Sequence, residues 1–221
     1  MPPDLVVFDC DGVLVDSERL VLAVEARILT DLGWPHTPEE VADRWMGRTS
    51  AAQLAELEEH LGPANTLLFE ECSTRESHAA FERHLVAVPG IEGVLDALDD
   101  TGTLTCVASS GSHAKMEHTL GRTGLYDRFR GRIFSAEEVA HGKPAPDLFL
   151  HAADRMGVAP SRCAVVEDSV YGVRAGVAAG MRVLGYVGGF TSAETLLAAG
   201  AEVFTDMTEL MPLLLDNLRS A

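Results

Sequence analysis

Short, predominantly apolar runs that alternate with helical stretches set the fold class of this sequence. Each run is three to six residues long, without the polar–apolar alternation of half-exposed strands, which is typical of strands buried on both faces of a parallel sheet. The runs are Leu5–Phe8, Leu104–Ala108, Arg132–Phe134, Cys163–Val166 and Arg182–Val187. The stretches between several of them end at glycines, as helices often do. This alternation predicts an α/β fold built on a parallel sheet.

One block, residues 17–86, interrupts the alternation and contains no strand pattern. Its apolar residues recur at helical spacing, and glycine or proline ends each stretch. The first helix is marked by Leu20, Val24, Ile28 and Leu32, and two later helices are predicted over Ala51–Leu61 and Asn65–Leu85. We therefore expect two domains. Residues 1–16 and 87–221 form the α/β core, and residues 17–86 form an inserted all-helical domain.

The charge of the chain limits the kinds of partner that it is expected to bind. It has 34 acidic against 17 basic residues and a net charge of −17, which argues against binding nucleic acid or an anionic membrane. No apolar run approaches the roughly 18 residues of a membrane-spanning helix, and the N-terminus has no basic signal-peptide region. The four cysteines lack metal-binding spacing. We expect a reduced, cytoplasmic protein, a monomer or weak homodimer, with a small-molecule partner.

The first apolar run ends in two carboxylates, Asp9 and Asp11, followed by Gly12. In an extended chain, residues two apart point the same way, so both carboxylates would enter one crevice at the carboxyl end of the strand. The alternative is a strand that simply ends in turn-forming aspartates. A calcium EF-hand is excluded because its later ligands are missing.

A second strand also ends in acids, at Glu167 and Asp168, with Ser169 next. By itself this segment would be the N-cap of the following helix. Together with Asp9 and Asp11 it becomes a cluster of hard oxygen ligands suited to Mg²⁺.

Two further segments offer groups that bind anions. Ser109, Ser110 and Gly111 follow a predicted strand and precede a helix, so their hydroxyl and amide groups would suit a phosphate; the alternative is an ordinary loop. Lys143, one of only two lysines, stands in a proline-braced turn before another helix. The alternative for Lys143 is a solvated surface side chain. All four segments lie at the carboxyl ends of predicted strands, and together they match phosphoryl transfer through an aspartyl phosphate.

In this order, the segments resemble the haloacid-dehalogenase superfamily, in its phosphatase and β-phosphoglucomutase branch. Asp9–Ser17 is similar to the first family motif, Ser109 to the second, Lys143 to the third and Glu167–Asp168 to the fourth. The resemblance covers almost the whole chain. It implies a Rossmann-like doubly wound sheet with the first strand between the Ser109 and Asp168 strands. It also implies that the helical block is the cap that this family inserts after its first motif.

The resemblance implies a role for each motif residue. Asp9 would be the nucleophile, and Asp11 would protonate the leaving oxygen and later accept a proton from water. Ser109, the Ser110 N–H and Lys143 would hold the phosphoryl oxygens.

The implied cofactor is Mg²⁺, held by the Asp9 carboxylate, the Asp11 backbone carbonyl and Asp168, with Glu167 nearby. Family dehalogenases lack the acid/base residue that Asp11 supplies here, and family phosphonatases use a cap lysine that residues 17–86 do not contain. Neither branch is therefore expected.

The leading hypothesis is a Mg²⁺-dependent phosphatase for a small phosphorylated metabolite, a sugar phosphate or related phosphomonoester. One alternative is a sugar phosphomutase, although β-phosphoglucomutases carry His where Val21 stands and a cap Arg where Ser50 stands in an ungapped comparison. Another is a non-catalytic binding protein of the same fold. Substrate choice is expected in the cap, where Arg48 would reach the polar end of a substrate; the alternative is a surface arginine.

Overall fold

The computed structural model describes residues 2–45 and 50–215. The chain divides into two compact units. One unit comprises the residues up to Asp16 and those from Val86 onward, and the other comprises Ser17–Leu85. No helix in the described part of the chain is long and apolar enough to cross a membrane.

The first unit is built on a parallel sheet that has six strands among the described residues, in the order β3-β2-β1-β4-β5-β6. The strands are β1 Leu5–Phe8, β2 Leu104–Ser109, β3 Ile133–Ser135, β4 Cys163–Glu167, β5 Arg182–Tyr186 and β6 Glu202–Phe204. β1 lies between β2 and β4, as the resemblance implies. The predicted α/β fold with a Rossmann-like doubly wound sheet is confirmed.

The central strand is apolar throughout because helices cover both faces of the sheet. All four residues of β1 are completely buried. Its Val7 pairs with Cys106 of β2 on one side and with Val165 of β4 on the other. Burial on both faces explains why these strands have continuous apolar runs rather than alternating ones.

Helices of the first unit present apolar stripes to the sheet. Within the described residues they are α4 Ile91–Thr101, α5 His113–Arg122, α6 Tyr126–Phe129, α7 Asp147–Met156, α8 Val170–Ala178, α9 Ala193–Ala199 and α10 Leu210–Leu215. The stripe of α7, for example, is Leu148, Phe149, Ala152 and Ala153, all buried at helical spacing. These side chains join the strands in one hydrophobic core.

Three strands, β2, β3 and β4, extend one residue further than their apolar runs. β2 continues to Ser109, which pairs with Ser135, and β4 continues to Glu167, which pairs with Gly185. The ladder is made by backbone groups, so a polar side chain at a strand end does not interrupt it. These polar side chains are consequently held by regular sheet and not by flexible loops.

The second unit consists of α1 Glu18–Asp31, α2 Pro38–Trp45 and α3 Ser50–His84, for the residues that are described. α3 contains a sharp break at Gly62, whose φ of 75° and ψ of 162° are not helical, directly before Pro63. The two helices predicted over Ala51–Leu61 and Asn65–Leu85 meet at this break. Proline removes a backbone donor and glycine tolerates positive φ, so the pair separates two helical segments at a kink.

Candidate active site

The polar residues at the carboxyl ends of β1, β2 and β4 meet at one edge of the sheet. β1 is central, so Asp9, directly after it, lies between the ends of its two neighbours. The backbone N–H of Asp9 donates to the carbonyl of Val166 at 3.0 Å, which extends the ladder by one bond past the end of β1. This edge, where the strand order reverses direction, is the usual ligand site of open α/β sheets.

The loop after β1 packs tightly against the end of β4. It is closed by the N–H of Gly12, which donates to the Val15 carbonyl at 2.9 Å, and Gly12 has a positive φ of 76°. A β-carbon at Gly12 would lie only 2.0 Å from Oδ2 of Asp168. Glycine is therefore required here for its conformation and also for the space that the Asp168 carboxylate occupies.

Three buried carboxylates lie together at this edge: Asp9, Glu167 and Asp168. Each offers an oxygen, and these oxygens all lie within 4.8 Å of one another. The residues are 8%, 0% and 2% exposed. Carboxylates this close repel each other in a buried setting unless cations or protons compensate.

Lys143 supplies a cation to this cluster. Its Nζ lies 2.5 Å from Oδ1 of Asp9 and 2.6 Å from Oε1 of Glu167, and it donates to the Ala108 carbonyl at 3.0 Å. Its side chain is only 4% exposed. The reading of Lys143 as a solvated surface residue is therefore wrong. One lysine beside three carboxylates leaves excess negative charge, and an all-oxygen, mainly carboxylate set is the chemistry that Mg²⁺ prefers.

Burial raises the pKa of the Asp9 carboxyl to about 7, and the neighbouring Glu167 and Asp11 add to the rise while Lys143 opposes it. Burial lowers the pKa of Lys143, but the two carboxylates it contacts raise that pKa more, so the net direction is upward. Lys143 thus stays charged, whereas Asp9 ionises near neutral pH. A divalent cation beside Asp9 would favour its ionised form further.

Glu167 is held by protein donors. Its Oε2 accepts hydrogen bonds from the Asp168 N–H at 3.0 Å, the Ser169 N–H at 3.0 Å and the Ser169 hydroxyl at 2.9 Å. Ser169 is also the N-cap of α8, because its Oγ accepts from the N–H of Gly172. The cap and the acidic cluster are therefore both present in this segment, and the capping oxygen belongs to Ser169 and not to Asp168.

The loop between β2 and α5 also separates into capping and site residues. Ser112 is the N-cap of α5, accepting from the Lys115 N–H at 3.2 Å. Ser109 is buried at the strand end and its Oγ accepts from the Gly111 N–H at 3.1 Å, while Ser110 is exposed. A β-carbon on Gly111 would lie 3.5 Å from Oγ of Ser109 and 3.9 Å from Oδ2 of Asp11, so this loop passes next to the first motif.

Lys115 is a site residue to which the sequence analysis assigned no role. Its Nζ donates to Oδ2 of Asp11 at 2.8 Å. Burial lowers the pKa of Lys115, but the ion pair with Asp11 raises that pKa more, so the lysine remains charged. The sequence signal that could have indicated Lys115 is the scarcity of lysine, because the chain has only Lys115 and Lys143. In the structure, both contact an aspartate of the first motif.

Arg48, the residue expected to contact substrate from the helical block, lies outside the described residues, as do Met46, Gly47 and Thr49. Its role stays a prediction.

Comparison with known proteins agrees with this fold. The sequence matches the family described as haloacid dehalogenase-like hydrolase over residues 3–180. The chain belongs to this family, and it is an enzyme of the family's phosphoric monoester hydrolase class.

Two relatives and one solved structure are similar to the chain over most of its length. The chain is 34% identical over 182 residues to the 6-phosphogluconate phosphatase of Escherichia coli strain K12, covering 81% of this chain and 80% of that protein. It is 30% identical over 217 residues to the phosphorylated carbohydrates phosphatase of Thermotoga maritima, covering 97% of this chain and all of that protein. A crystal structure of a conserved haloacid dehalogenase-like protein from Agrobacterium tumefaciens superposes with a TM-score of 0.86 at 38% identity, covering 96% of this chain and 97% of the other.

Proposed function

We propose that this protein is a Mg²⁺-dependent phosphatase that hydrolyses a small phosphorylated metabolite, a sugar phosphate or related phosphomonoester, through an aspartyl-phosphate intermediate. The observation that carries the proposal is the position of Lys143. Its ammonium lies between Asp9 and Glu167, within 2.6 Å of both, at the edge where Ser109 ends β2 and Asp168 follows the end of β4.

Asp9 is the proposed nucleophile because it is the carboxylate in contact with Lys143 at the centre of the cluster. Its oxygen attacks phosphorus, the P–O bond to the metabolite breaks, and Asp11 gives its proton to the departing alkoxide. Water then attacks the phosphorus of the aspartyl phosphate while Asp11 takes a proton from that water. Inorganic phosphate leaves, and Asp9 and the protonated Asp11 are regenerated.

The phosphoryl oxygens are held by Lys143, the Ser109 hydroxyl and the Ser110 N–H in this proposal. Lys143 adds a positive charge that water screens little, because its side chain is buried. Charge of this kind, aimed at oxygens that gain negative charge in the transition state, is usually the largest contribution to catalysis in such sites.

The proposed metal ligands are the carboxylates of Asp9 and Asp168 and the backbone carbonyl of Asp11, with Glu167 beside them. The fit rests on buried carboxylate oxygens within 4.8 Å of one another and on the space that Gly12 leaves for Asp168. Mg²⁺ bound there would reduce the repulsion between an attacking carboxylate and a phosphate dianion.

The helical unit, Ser17–Leu85, is proposed to be the cap that selects the substrate. Relatives named as 6-phosphogluconate and phosphorylated carbohydrates phosphatases support phosphorylated carbohydrates as the substrate class. Within this class of substrates, we propose that Arg48 contacts the substrate.

The proposal is tested by phosphate release from a panel of phosphorylated sugars, sugar alcohols and sugar acids, and from p-nitrophenyl phosphate, with and without Mg²⁺. Asp9→Asn is compared with Asp127→Asn, whose side chain is 81% exposed and pairs with Arg130. We expect Mg²⁺-dependent release that Asp127→Asn retains and Asp9→Asn loses. A chain that releases no phosphate from any of them would contradict the phosphatase, and a well-folded, active Asp9→Asn protein would contradict the intermediate.

Hydrolysis is proposed rather than isomerisation. A mutase must shield its aspartyl phosphate from water until a second hydroxyl of the substrate arrives. Val21 stands where mutases of this family carry the histidine that couples cap closure to the acid/base residue, and valine makes no polar link. The test is product analysis with β-glucose 1-phosphate and a trace of β-glucose 1,6-bisphosphate. Glucose 6-phosphate forming faster than free phosphate would favour the mutase.

A further inference from the structure

We infer that Lys115 is a positioning residue for the reaction: it holds the Asp11 carboxylate in the place from which that carboxylate exchanges protons with the substrate and with water. This inference rests on the proposed function, because it assigns Asp11 the acid/base role. It goes beyond that function in naming a residue from a different element, 104 positions away in the sequence.

The contact is direct. Nζ of Lys115 lies 2.8 Å from Oδ2 of Asp11, the length of a charge-assisted hydrogen bond. The Lys115 side chain is 40% exposed and that of Asp11 is 20% exposed. An ion pair this accessible adds little to stability. Its value is therefore expected in the orientation of Asp11 and not in the free energy of folding.

The helix that carries Lys115 is anchored next to the first motif. Met116 and Thr119 of α5 are completely buried, and Oγ1 of Thr119 lies 3.9 Å from Sγ of Cys10, the residue between the two aspartates. The aliphatic stem of Lys115 also passes Gly111, where a β-carbon would lie 3.4 Å from its Cδ. The base of the Lys115 side chain is thus fixed relative to Asp11.

The place of Lys115 on its helix argues against a role in helix stability. It is the third residue of α5, in the first turn, where the helix dipole presents positive charge. A cation stabilises a helix in the last turn, and Arg122 occupies that position in α5. A lysine in the first turn is electrostatically unfavourable for the helix, and the nearby Asp11 carboxylate offsets that cost.

The proposed proton transfers require a fixed orientation of the Asp11 carboxylate. Asp9 is fixed by Lys143 and by its backbone bond to Val166, but Asp11 lies two residues further along, in the loop that turns away from the strand. A carboxylate that rotates out of line cannot reach the leaving oxygen or the attacking water. Lys115 therefore matches Lys143: each lysine holds one aspartate of the first motif.

The test is a double-mutant cycle on the full chain with p-nitrophenyl phosphate, comparing Lys115→Met, Asp11→Asn and the double variant with the parent chain. If Lys115 acts through Asp11, Lys115→Met lowers kcat by about tenfold or more, part of the ~10²–10⁴ that acid/base catalysis contributes. In the Asp11→Asn background the same substitution changes kcat by less than about twofold, because there is no acid/base group left to position.

Two further variants separate positioning from other roles. Lys115→Arg keeps the cation and is expected to retain more of kcat than Lys115→Met, with KM little changed in both. Arg122→Met removes a positive charge from the other end of the same helix and is expected to leave kcat unchanged. Lys115→Gln replaces Lys115→Met in the cycle should the methionine variant not fold, as judged by thermal unfolding.

Three results would overturn the inference. One is an equal loss of kcat from Lys115→Met in both backgrounds. Another is a rise in KM at constant kcat, which would place Lys115 on the substrate instead. The third is Lys115→Arg as slow as Lys115→Met. Failure of the proposed function is distinguishable, because it would appear as an inactive parent chain or an active Asp9→Asn variant, whatever Lys115 does.

Discussion

At the level of a single residue, Asp9 combines a cost in folding stability with a proposed role in the reaction. It is a carboxylate held in a buried position beside Glu167 and Asp168, and burial raises its pKa to about 7. A raised pKa means that the folded chain loses stability as the pH rises from the ordinary carboxyl value of 3.8 to about 7, and that the full cost remains above 7. The nucleophile proposed here needs that same ionised form, so the buried charge that lowers stability is also the group proposed to react.

The substitution Asp9→Asn tests both effects, on turnover and on stability. Turnover is expected to fall by roughly three orders of magnitude or more, because an amide is a poor nucleophile. At pH 8 without Mg²⁺, where Asp9 is ionised, the melting temperature is expected not to fall, since the substitution removes a buried charge. Phosphate release and thermal unfolding measure the two effects. A clear drop in melting temperature at pH 8 would show that the Lys143 pair outweighs the cost of burial.

Gly12 carries a second prediction at this scale. In Gly12→Ala the β-carbon would meet Oδ2 of Asp168 at 2.0 Å, so the carboxylate must move. Gly124→Ala is the matched control, because Gly124 has the same φ of 76° and nothing within 4 Å of its β-carbon position. Both variants carry the backbone strain of about 1–2 kcal/mol. Only Gly12→Ala is expected to need more Mg²⁺ for half-maximal activity and to lose activity, by about tenfold or more. Similar behaviour of the two variants would mean that strain alone is responsible.

At the scale of elements, the start of α8 does two things at once. Ser169 caps the helix. Asp168 and Ser169 also donate hydrogen bonds to Glu167, which hold it in contact with Lys143. The first turn of α8 must approach closely for this, and Gly172 allows it, because a β-carbon there would lie 1.7 Å from Oε1 of Glu167. The helix is thus part of the site although it places no catalytic side chain.

Gly172→Ala is accordingly expected to reduce both activity and melting temperature, as Glu167 is pushed from Lys143. Gly121→Ala is the control, because Gly121 is also inside a helix but has nothing within 4 Å of its β-carbon position. Alanine there is expected to stabilise the chain by up to about 1 kcal/mol through helix propensity, at unchanged activity. Assays of phosphate release and thermal unfolding on both variants decide whether the close approach at Gly172 matters.

In the helical unit, the packing of α1 against α3 contains a half-buried acid. Oε1 of Glu25 accepts a hydrogen bond from the Ser73 hydroxyl at 3.2 Å, and burial raises the pKa of Glu25 to about 7 from an ordinary 4.5. The folded form therefore prefers the neutral acid. The cost is absent below the ordinary pKa, grows as the pH rises from about 4.5 to 7, and is complete above 7.

Glu25→Gln should remove this cost. We expect a higher melting temperature at pH 8, with 1 kcal/mol corresponding to about 2–4 °C for a chain of this size, and a gain that shrinks as the pH falls toward 4.5. Glu58→Gln, at an exposed position of α3, is the control and should show no such pH dependence. A gain for Glu25→Gln that is the same at all pH values would mean that charge is not its cause.

For the whole molecule, the net charge of −17 is notable because the proposed substrate is itself an anion. The overall field opposes the approach of a phosphate, so attraction must come from local cations. Lys143, Lys115 and the proposed Mg²⁺ supply positive charge at the sheet edge. The same excess of acid favours binding of a divalent cation at the carboxylate cluster.

Mg²⁺ is therefore expected to stabilise the folded chain, because the cluster exists only when the strands are assembled. At a concentration 100 times its Kd, a ligand that binds only the folded form adds about 2.7 kcal/mol. Thermal unfolding with and without Mg²⁺, at matched ionic strength, measures the shift. Asp168→Asn is expected to lose most of it and Asp127→Asn none. An equal shift in both variants would place the cation elsewhere.

The fold class, and the meeting of the polar strand ends at one edge of the sheet, could be predicted from the sequence for a physical reason. Strands buried on both faces must be apolar throughout, and the chemistry of open sheets is placed where such runs stop. Asp9, Ser109 and Glu167–Asp168 each stand at that point, so their neighbourhood was predictable once strand 1 was set between the other two. The break at Gly62–Pro63 was readable too, because both residues act on their own backbone.

Contacts between residues far apart in sequence could not be predicted in this way, because they depend on the assembled fold. The pairing of Lys115 with Asp11, the pairing of Lys143 with Glu167 and the space over Gly12 that Asp168 occupies depend on how the helices and loops pack on the sheet. Local pattern carries no record of these distances. A lysine or a glycine has the same sequence signature whether it faces solvent or a carboxylate, and the difference arises only when the assembled strands bring their ends to one edge.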